Sequence, residues 1–364
     1  MDIRADARKQ SSPCVAIIGG AGEMGRVFAK IFMPVAKTIL IADKDTELVP
    51  KQAVKQADIV ILAVPMEQTL IMIKQLMPLM KDGSLFMDIT SLKKEETEAM
   101  VAFSPSARVE ILGTHPLFGP YLDIEGQIIA LTPIRGEYWF PYVKEIFTKA
   151  GLIPIVTSPA EHDQVMSVVQ ALLHVVLLSL LGTVQSLAFD AKLFNVVSTP
   201  LYKIVWMLAS RIVSHDSNLY KNIAVANTYS VETLRTFQRV FNQFLNDIET
   251  TNGSQFEERF RSLKAYITKS AAQDTLKMPV KSTKTTTPHD LTSESQSAAQ
   301  NTINSSMMTH SKKNLDKDAS QPPIIPDQSQ QLIDFFSKTY MDTRLLRELS
   351  NKAIWKNSFK DDTK

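Results

Sequence analysis

The chain has 364 residues, with 40 basic and 38 acidic side chains and a net charge of +2. That length fits two domains with a sizeable core, and so even a charge balance gives no footing for nucleic acid or an anionic membrane surface. A single cysteine, Cys14, excludes an internal disulfide framework and fits a reduced, cytosolic compartment.

The first residues, MDIRADARKQSSP, lack the apolar core of a secretory signal. From residue 14 to 157, short apolar runs then alternate with helical stretches. In chain order the runs are VAIIG, TILIAD, DIVILAVP, SLFMDIT, VEILGTHP, QIIALTP and LIPIVT. Several are almost continuous in Val, Ile and Leu, as in parallel strands covered on both faces. Helical patterns such as EMGRVFAKIF and EQTLIMIKQLMPLM separate them, so a doubly wound α/β sheet is expected. From Ser158 onward only helical patterns follow. SPAE at 158–161 reads as a capping box with proline at the first helical position. A second helix opens near STPLY at 198–202, and a third after Asn252-Gly253.

The expected organisation is a flexible N-terminus over 1–13, a nucleotide-binding sheet domain over 14–157 and an all-helical domain over 158–271. Residues 272–330 are Ser, Thr, Gln and Lys with few large apolar side chains, so a disordered linker is expected there. A helical pattern returns over 331–364. The segment VVQALLHVVLLSLLG at 168–182 is shorter than the ~20 residues of a membrane span. It also carries Gln170, His174 and Ser179, so it reads as a buried helix of a soluble protein.

Gly20-Ala21-Gly22-Glu23-Met24-Gly25 spells G-x-G-x-x-G between a strand and a helix, the context of a Rossmann-type dinucleotide site. Gly20 serves the turn, Gly22 the close approach of a pyrophosphate, and Gly25 the packing of helix on strand. The helix N-terminus offers free N–H groups to phosphate. Asp43 ends the next strand, 18 residues beyond Gly25. A carboxylate there accepts from ribose hydroxyls and repels a 2′-phosphate, which favours NAD over NADP. Candidate cofactor contacts are therefore Gly20, Gly22, Glu23, Met24, Gly25 and Asp43, with Val64 and Pro65 at the end of the third strand.

Open α/β sheets place their chemistry at the carboxyl ends of the strands. The fourth strand ends in DITSLKK (88–94) and the fifth in GTHPLFGP (113–120), which puts His115 beside the crevice. A histidine there can accept a proton near neutral pH, or merely brace a rigid loop. Ser167, Gln170 and His174 are spaced by three and four and share a helical stripe, which lines either a cleft or the core. Leu201, Ile204, Leu208 and Arg211 form another stripe, which turns Arg211 inward, where it needs a protein or substrate carboxylate. His162-Asp163 has no further ligands at suitable spacing, so no metal site is expected.

Taken in order, GGAGEMG, AVP, DITSLK, GTHPLFGP, EHDQVMSVVQALLH and ASRIVSHDSNLY make the chain, from about Val15 to Lys269, resemble the prephenate/arogenate dehydrogenase family. The resemblance implies an oxidoreductase of tyrosine biosynthesis. NAD would take a hydride from the ring carbon of prephenate that bears the hydroxyl. The ring carboxylate would leave as carbon dioxide, yielding 4-hydroxyphenylpyruvate. It further implies that His115 is the base, that Ser91 orients His115 and the hydroxyl, and that Arg211 binds a substrate carboxylate. His174 and Gln170 would line the pocket, Lys93 would add positive charge to it, and the helical domain would form a homodimer interface.

Some features depart from the family pattern. Lys203 stands where some bacterial relatives carry Arg; with about a dozen residues before the first strand, no fused chorismate mutase domain is expected there, and no family counterpart is expected for residues 275–364. Three other readings compete. Arogenate would be favoured by an acidic pocket residue, and none can be placed. A β-hydroxyacid or imine reductase would leave GTHPLFGP unexplained. A non-catalytic protein acting through its tail would not need the retained Gly, Asp, Ser, His and Arg set.

Overall fold

The computed structural model describes residues 12–188, 197–250 and 253–273. All seven apolar runs form strands: β1 (Cys14–Ile18), β2 (Thr38–Ala42), β3 (Ile59–Leu62), β4 (Leu85–Asp88), β5 (Glu110–Pro116), β6 (Ile128–Arg135) and β7 (Ile153–Val156). They make one sheet in the order β2-β1-β3-β4-β5-β6-β7. Every pairing is parallel except β5 with β6. Residues 117–127 join that pair without a helix, and a short connection of that kind returns antiparallel rather than crossing over.

Five helices cover the sheet: α1 (Glu23–Phe32), α2 (Pro50–Gln56), α3 (Met66–Leu76), α4 (Lys94–Phe103) and α5 (Trp139–Lys149). Alternate strand residues face opposite layers. Ile59 and Ile61 pack with Phe28, Phe32 and Phe147 in one layer. Val60 and Leu62 pack with Ala53, Ile73 and Met100 in the other. Burial on both faces explains why these strands read as continuous apolar runs rather than alternating ones.

Beyond β7, α6 (Pro159–Met166) starts at the expected capping box: Ser158 accepts from the Glu161 N–H while the Glu161 carboxylate accepts from the Ser158 N–H. The helix continues through a π-turn, Ser167–Leu172, into α7 (Leu173–Leu187). Then follow α8 (Pro200–Val213), α9 (Ser217–Ala226), α10 (Ser230–Thr250) and α11 (Ser254–Gln273). The continuous helix Pro159–Leu187 is apolar and long enough to cross a membrane by length and composition alone. The expectation that its apolar segment is buried does not hold within one chain, since only 22% of its most apolar window is covered. Leu177, Ala209 and Ile212 are its small shared core with α8.

The chain divides into two compact units between Phe241 and Asn242. In the second, Arg259 Nε bonds to Asp247 Oδ2 at 2.7 Å, and its guanidinium lies over the Phe244 ring. The flexible terminus expected over 1–13, the linker over 272–330 and the helix over 331–364 fall almost wholly outside the described residues. Helix α11 runs two residues into the linker.

A buried polar cluster lies behind β4 and β5. Lys93 is fully buried and pairs with Asp88, which also accepts from the Thr90 hydroxyl. Glu96 is buried nearby, and burial pushes its carboxyl up to about 8. In the unfolded chain that group ionises from about 4.5 upward, while the folded protein keeps it neutral. The folded state thus holds the extra proton, and stability falls by about 1.4 kcal/mol per pH unit across that window. Urea denaturation should show Glu96→Gln losing this slope, so that the variant gains on the wild type between pH 5.5 and 7.5; parallel pH profiles would contradict it.

Candidate active site

The glycine loop joins β1 to α1. Gly19 takes φ +80°, and a Cβ there would sit 2.4 Å from the Ala63 carbonyl oxygen. The tight turn therefore belongs to Gly19 rather than to Gly20. A Cβ on Gly20 would meet the Ile17 carbonyl and Ile41 at 2.9 Å, and one on Gly25 would fall 2.4 Å from Gly19 O. Gly22 caps α1 with extended backbone and no side-chain acceptor, leaving first-turn N–H groups open at the positive end of the helix dipole. Glu23 is exposed and accepts from the Tyr121 hydroxyl, and Met24 is half-buried.

Asp43 closes against this loop, its Oδ2 accepting from the Ala21 N–H at 3.2 Å. Its Oδ1 accepts from the Lys44 N–H at 2.7 Å. Val64 and Pro65 follow β3, and Pro65 caps α3. The candidate cofactor residues thus gather at the carboxyl ends of three adjacent strands, β2, β1 and β3. Gly19, Gly20 and Gly25 pack too closely on the chain itself to admit a side chain, while Gly22 meets only Gly19 O at 3.2 Å, so the backbone at the helix N-terminus stays bare, as a dinucleotide site requires.

His115 lies two strands from β3, near the end of β5, and is only 3% exposed. Its Nδ1 is 2.9 Å from His162 Nε2. His162 Nδ1 is in turn 2.8 Å from Asp163 Oδ1. Asp163 also accepts from the backbone N–H groups of Lys93 and Lys94, each at 2.9 Å, at the N-terminus of α4. Burial, aided by His162 and Lys93, holds the His115 imidazole well below its ordinary range. His115 therefore rests neutral, the state a proton acceptor needs.

The π-turn aims the polar stripe of the long helix at three elements, a common use of such turns at functional sites. Ser167 bonds to the Thr233 hydroxyl at 2.8 Å. Gln170 Nε2 lies 3.5 Å from His115 Nε2, and its buried Oε1 has no partner. His174 packs edge-on against Tyr220 with ring centroids 4.8 Å apart, and its buried Nδ1 is likewise unpartnered. Burial lowers the affinity of His174 for its proton. Burial also raises the Tyr220 phenol, and the nearby Arg211 guanidinium opposes that shift.

Three expectations need correction. Arg211 is exposed, not turned into a core: the buried stripe of α8 runs through Ala209 and Ile212, while Leu201 is 65% exposed. Lys93 adds no charge to a pocket, because its ammonium is fully buried against Asp88. Ser91 is half-buried in the β4–α4 loop and makes no hydrogen bond to His115, whose two nitrogens face His162 and Gln170. His162, Asp163 and Tyr220 escaped the sequence reading. The EHDQ motif was the available signal, but two adjacent residues weighed only as metal ligands do not reveal a partner 47 positions away.

Profiles of the prephenate dehydrogenase nucleotide-binding domain and dimerization domain match residues 34–153 and 158–263. A "probable arogenate/prephenate dehydrogenase" of Methanocaldococcus jannaschii is 32% identical over 247 residues, covering 63% of this chain and 55% of that protein. The T-protein of Haemophilus influenzae is 25% identical, covering 69% of this chain and 66% of its own length. The chain therefore spans only part of these relatives. The fold matches the crystal structure of Aquifex aeolicus prephenate dehydrogenase with hydroxyphenyl propionate and NAD+ (TM-score 0.56, 22% identity, 71% of this chain and 98% of that one). With a glycine cradle, a buried neutral histidine and two successive domain profiles in one chain, this protein belongs to the prephenate dehydrogenase family.

Proposed function

We propose that this chain oxidises a cyclohexadienol carrying a ring carboxylate, prephenate ahead of arogenate, with NAD as cofactor. The observation that carries the reading is His115. It is a buried, neutral imidazole at the carboxyl end of β5, with Nε2 turned toward Gln170 rather than into a salt bridge. A nicotinamide dinucleotide held by the glycine loop and Asp43 supplies the hydride acceptor. His115 draws on the ring hydroxyl proton, and Gln170 offers a polar contact to the same ring. Aromatisation supplies the driving force, so the protein contributes chiefly positioning and one base.

The substrate side chain falls to His174, Tyr220 and Arg211, with His215 beside them, its Nδ1 2.7 Å from the Arg211 carbonyl oxygen and its ring 6.4 Å from that of Tyr220; none of these is acidic. That set favours a keto acid over an amine-bearing substrate. Asp43 would accept from the ribose hydroxyls of a bound dinucleotide and would disfavour a 2′-phosphate. NADH formation should be followed with purified protein, prephenate and arogenate against NAD and NADP in parallel. Turnover with prephenate and NAD supports the reading, whereas faster reaction with NADP would remove the Asp43 role. Cofactor binding without turnover of either substrate would overturn the substrate class.

Arg211→Ala should raise KM for the substrate roughly tenfold while kcat changes less, as for a lost charged hydrogen bond made in both ground and transition states. An unchanged KM would move the carboxylate site elsewhere. The chain works in this reading as a soluble homodimer. Leu178, Val184, Trp206 and Val213 line an open apolar groove on α7 and α8, which a second copy would cover. Light scattering should give the mass of two chains, and a monomer at micromolar concentration would contradict the dimer.

A further inference from the structure

We propose that His162 and Asp163 form, with His115, a closed proton relay that holds the substrate hydroxyl proton during oxidation and then returns it. This rests on the dehydrogenase reading above. The argument begins at Asp163, whose two oxygens accept from the Lys93 and Lys94 N–H groups and therefore act as acceptors toward His162 as well. Nδ1 of His162 must then carry its proton. In a neutral ring that leaves Nε2 of His162 as a lone pair. His115 Nδ1, 2.9 Å away, must donate to it. His115 Nε2 is then the unprotonated nitrogen, the one that faces Gln170 and the substrate space. The chain of acceptors thus selects the catalytic tautomer, by the logic of an Asp-His pair behind a reacting group.

The chemistry explains why a buried, closed relay suffices. The ring hydroxyl proton passes to His115 Nε2 as hydride leaves the ring carbon for the dinucleotide, and the Nδ1 proton of His115 moves to His162 Nε2. Loss of the ring carboxylate as carbon dioxide then returns an electron pair to the ring, and its oxygen takes the proton back as a phenol. No net proton is released, so no path to solvent is needed. The relay ends on the Asp163 carboxylate, 2.8 Å from His162 Nδ1, which places a negative group at the end remote from the substrate. Other charged or titratable groups near the relay are Lys93, which caps α4, Glu96 of α4 and Asp88 of β4. Asn227 pins the segment by donating to the Asp163 backbone carbonyl at 2.7 Å.

The test uses the full chain labelled with 15N-histidine, its signals assigned with His115→Asn and His162→Gln. Both relay rings should show the Nδ1–H tautomer in the neutral state; an Nε2–H tautomer at His115 would overturn the proposal whatever the activity. His162→Gln keeps a hydrogen-bond acceptor for His115 but cannot take a proton. Its kcat should fall roughly 10²-fold, the lower end of what proton transfer contributes, with substrate KM within twofold. Turnover within twofold of wild type would also overturn it. If the wild-type protein reduces no cofactor, the dehydrogenase reading fails instead, and the tautomer measurement still judges the relay.

Discussion

His115→Asn is expected to lower kcat by roughly 10²–10⁴, the contribution of a positioned general base, while cofactor affinity stays near wild type. The two readouts separate because His115 sits on β5 and the glycine cradle on β1, with β3 and β4 between them. Asparagine also removes both ring nitrogens, so the 2.9 Å contact to His162 and the 3.5 Å approach of Gln170 are lost together. The residue is buried, so an indirect loss through misfolding must be excluded by an unchanged melting transition. Near-wild-type turnover in a folded variant would remove His115 from the chemistry.

Lys93→Ala is expected to cost stability rather than activity. The change strands Asp88 in the interior, where one of its oxygens already lacks a partner. Breaking a buried pair by removing one member costs about 3–5 kcal/mol, because the remaining charge is uncompensated. For a chain of this size that is a fall in Tm on the order of 10 °C. The backbone N–H of Lys93 is untouched by the substitution, so its bond to Asp163, and with it the relay, survives. Activity measured well below the transition should therefore stay close to wild type. Adding Asp88→Asn, with methionine in place of alanine at position 93, should recover most of the loss by removing the charge and refilling the space. A Tm within 2 °C of wild type for Lys93→Ala would mean that Asp88 finds another partner.

The sequence by itself determined what short-range physics controls. Apolar runs marked all seven strands, and the central ones, β1, β3 and β4, show no polar side because both their faces are covered. Ser158 and Glu161 marked the start of the long helix, because a capping box is a contact across three residues. The spacing of the glycine loop marked the turn and the helix end that follow β1. Tertiary packing decided the rest. Helix α8 is apolar on almost every side, so its periodicity could not distinguish the stripe through Leu208 and Arg211 from the buried one through Ala209 and Ile212. Lys93 was expected to bring positive charge to the pocket, yet a carboxylate five residues earlier is buried with it. His115 meets His162 only because β5 and α6 come together in the fold, and the direction of that hydrogen bond depends on two backbone N–H groups of α4. Local periodicity records which side of an element is apolar; it carries no information about which polar groups from distant elements will find one another once water is excluded.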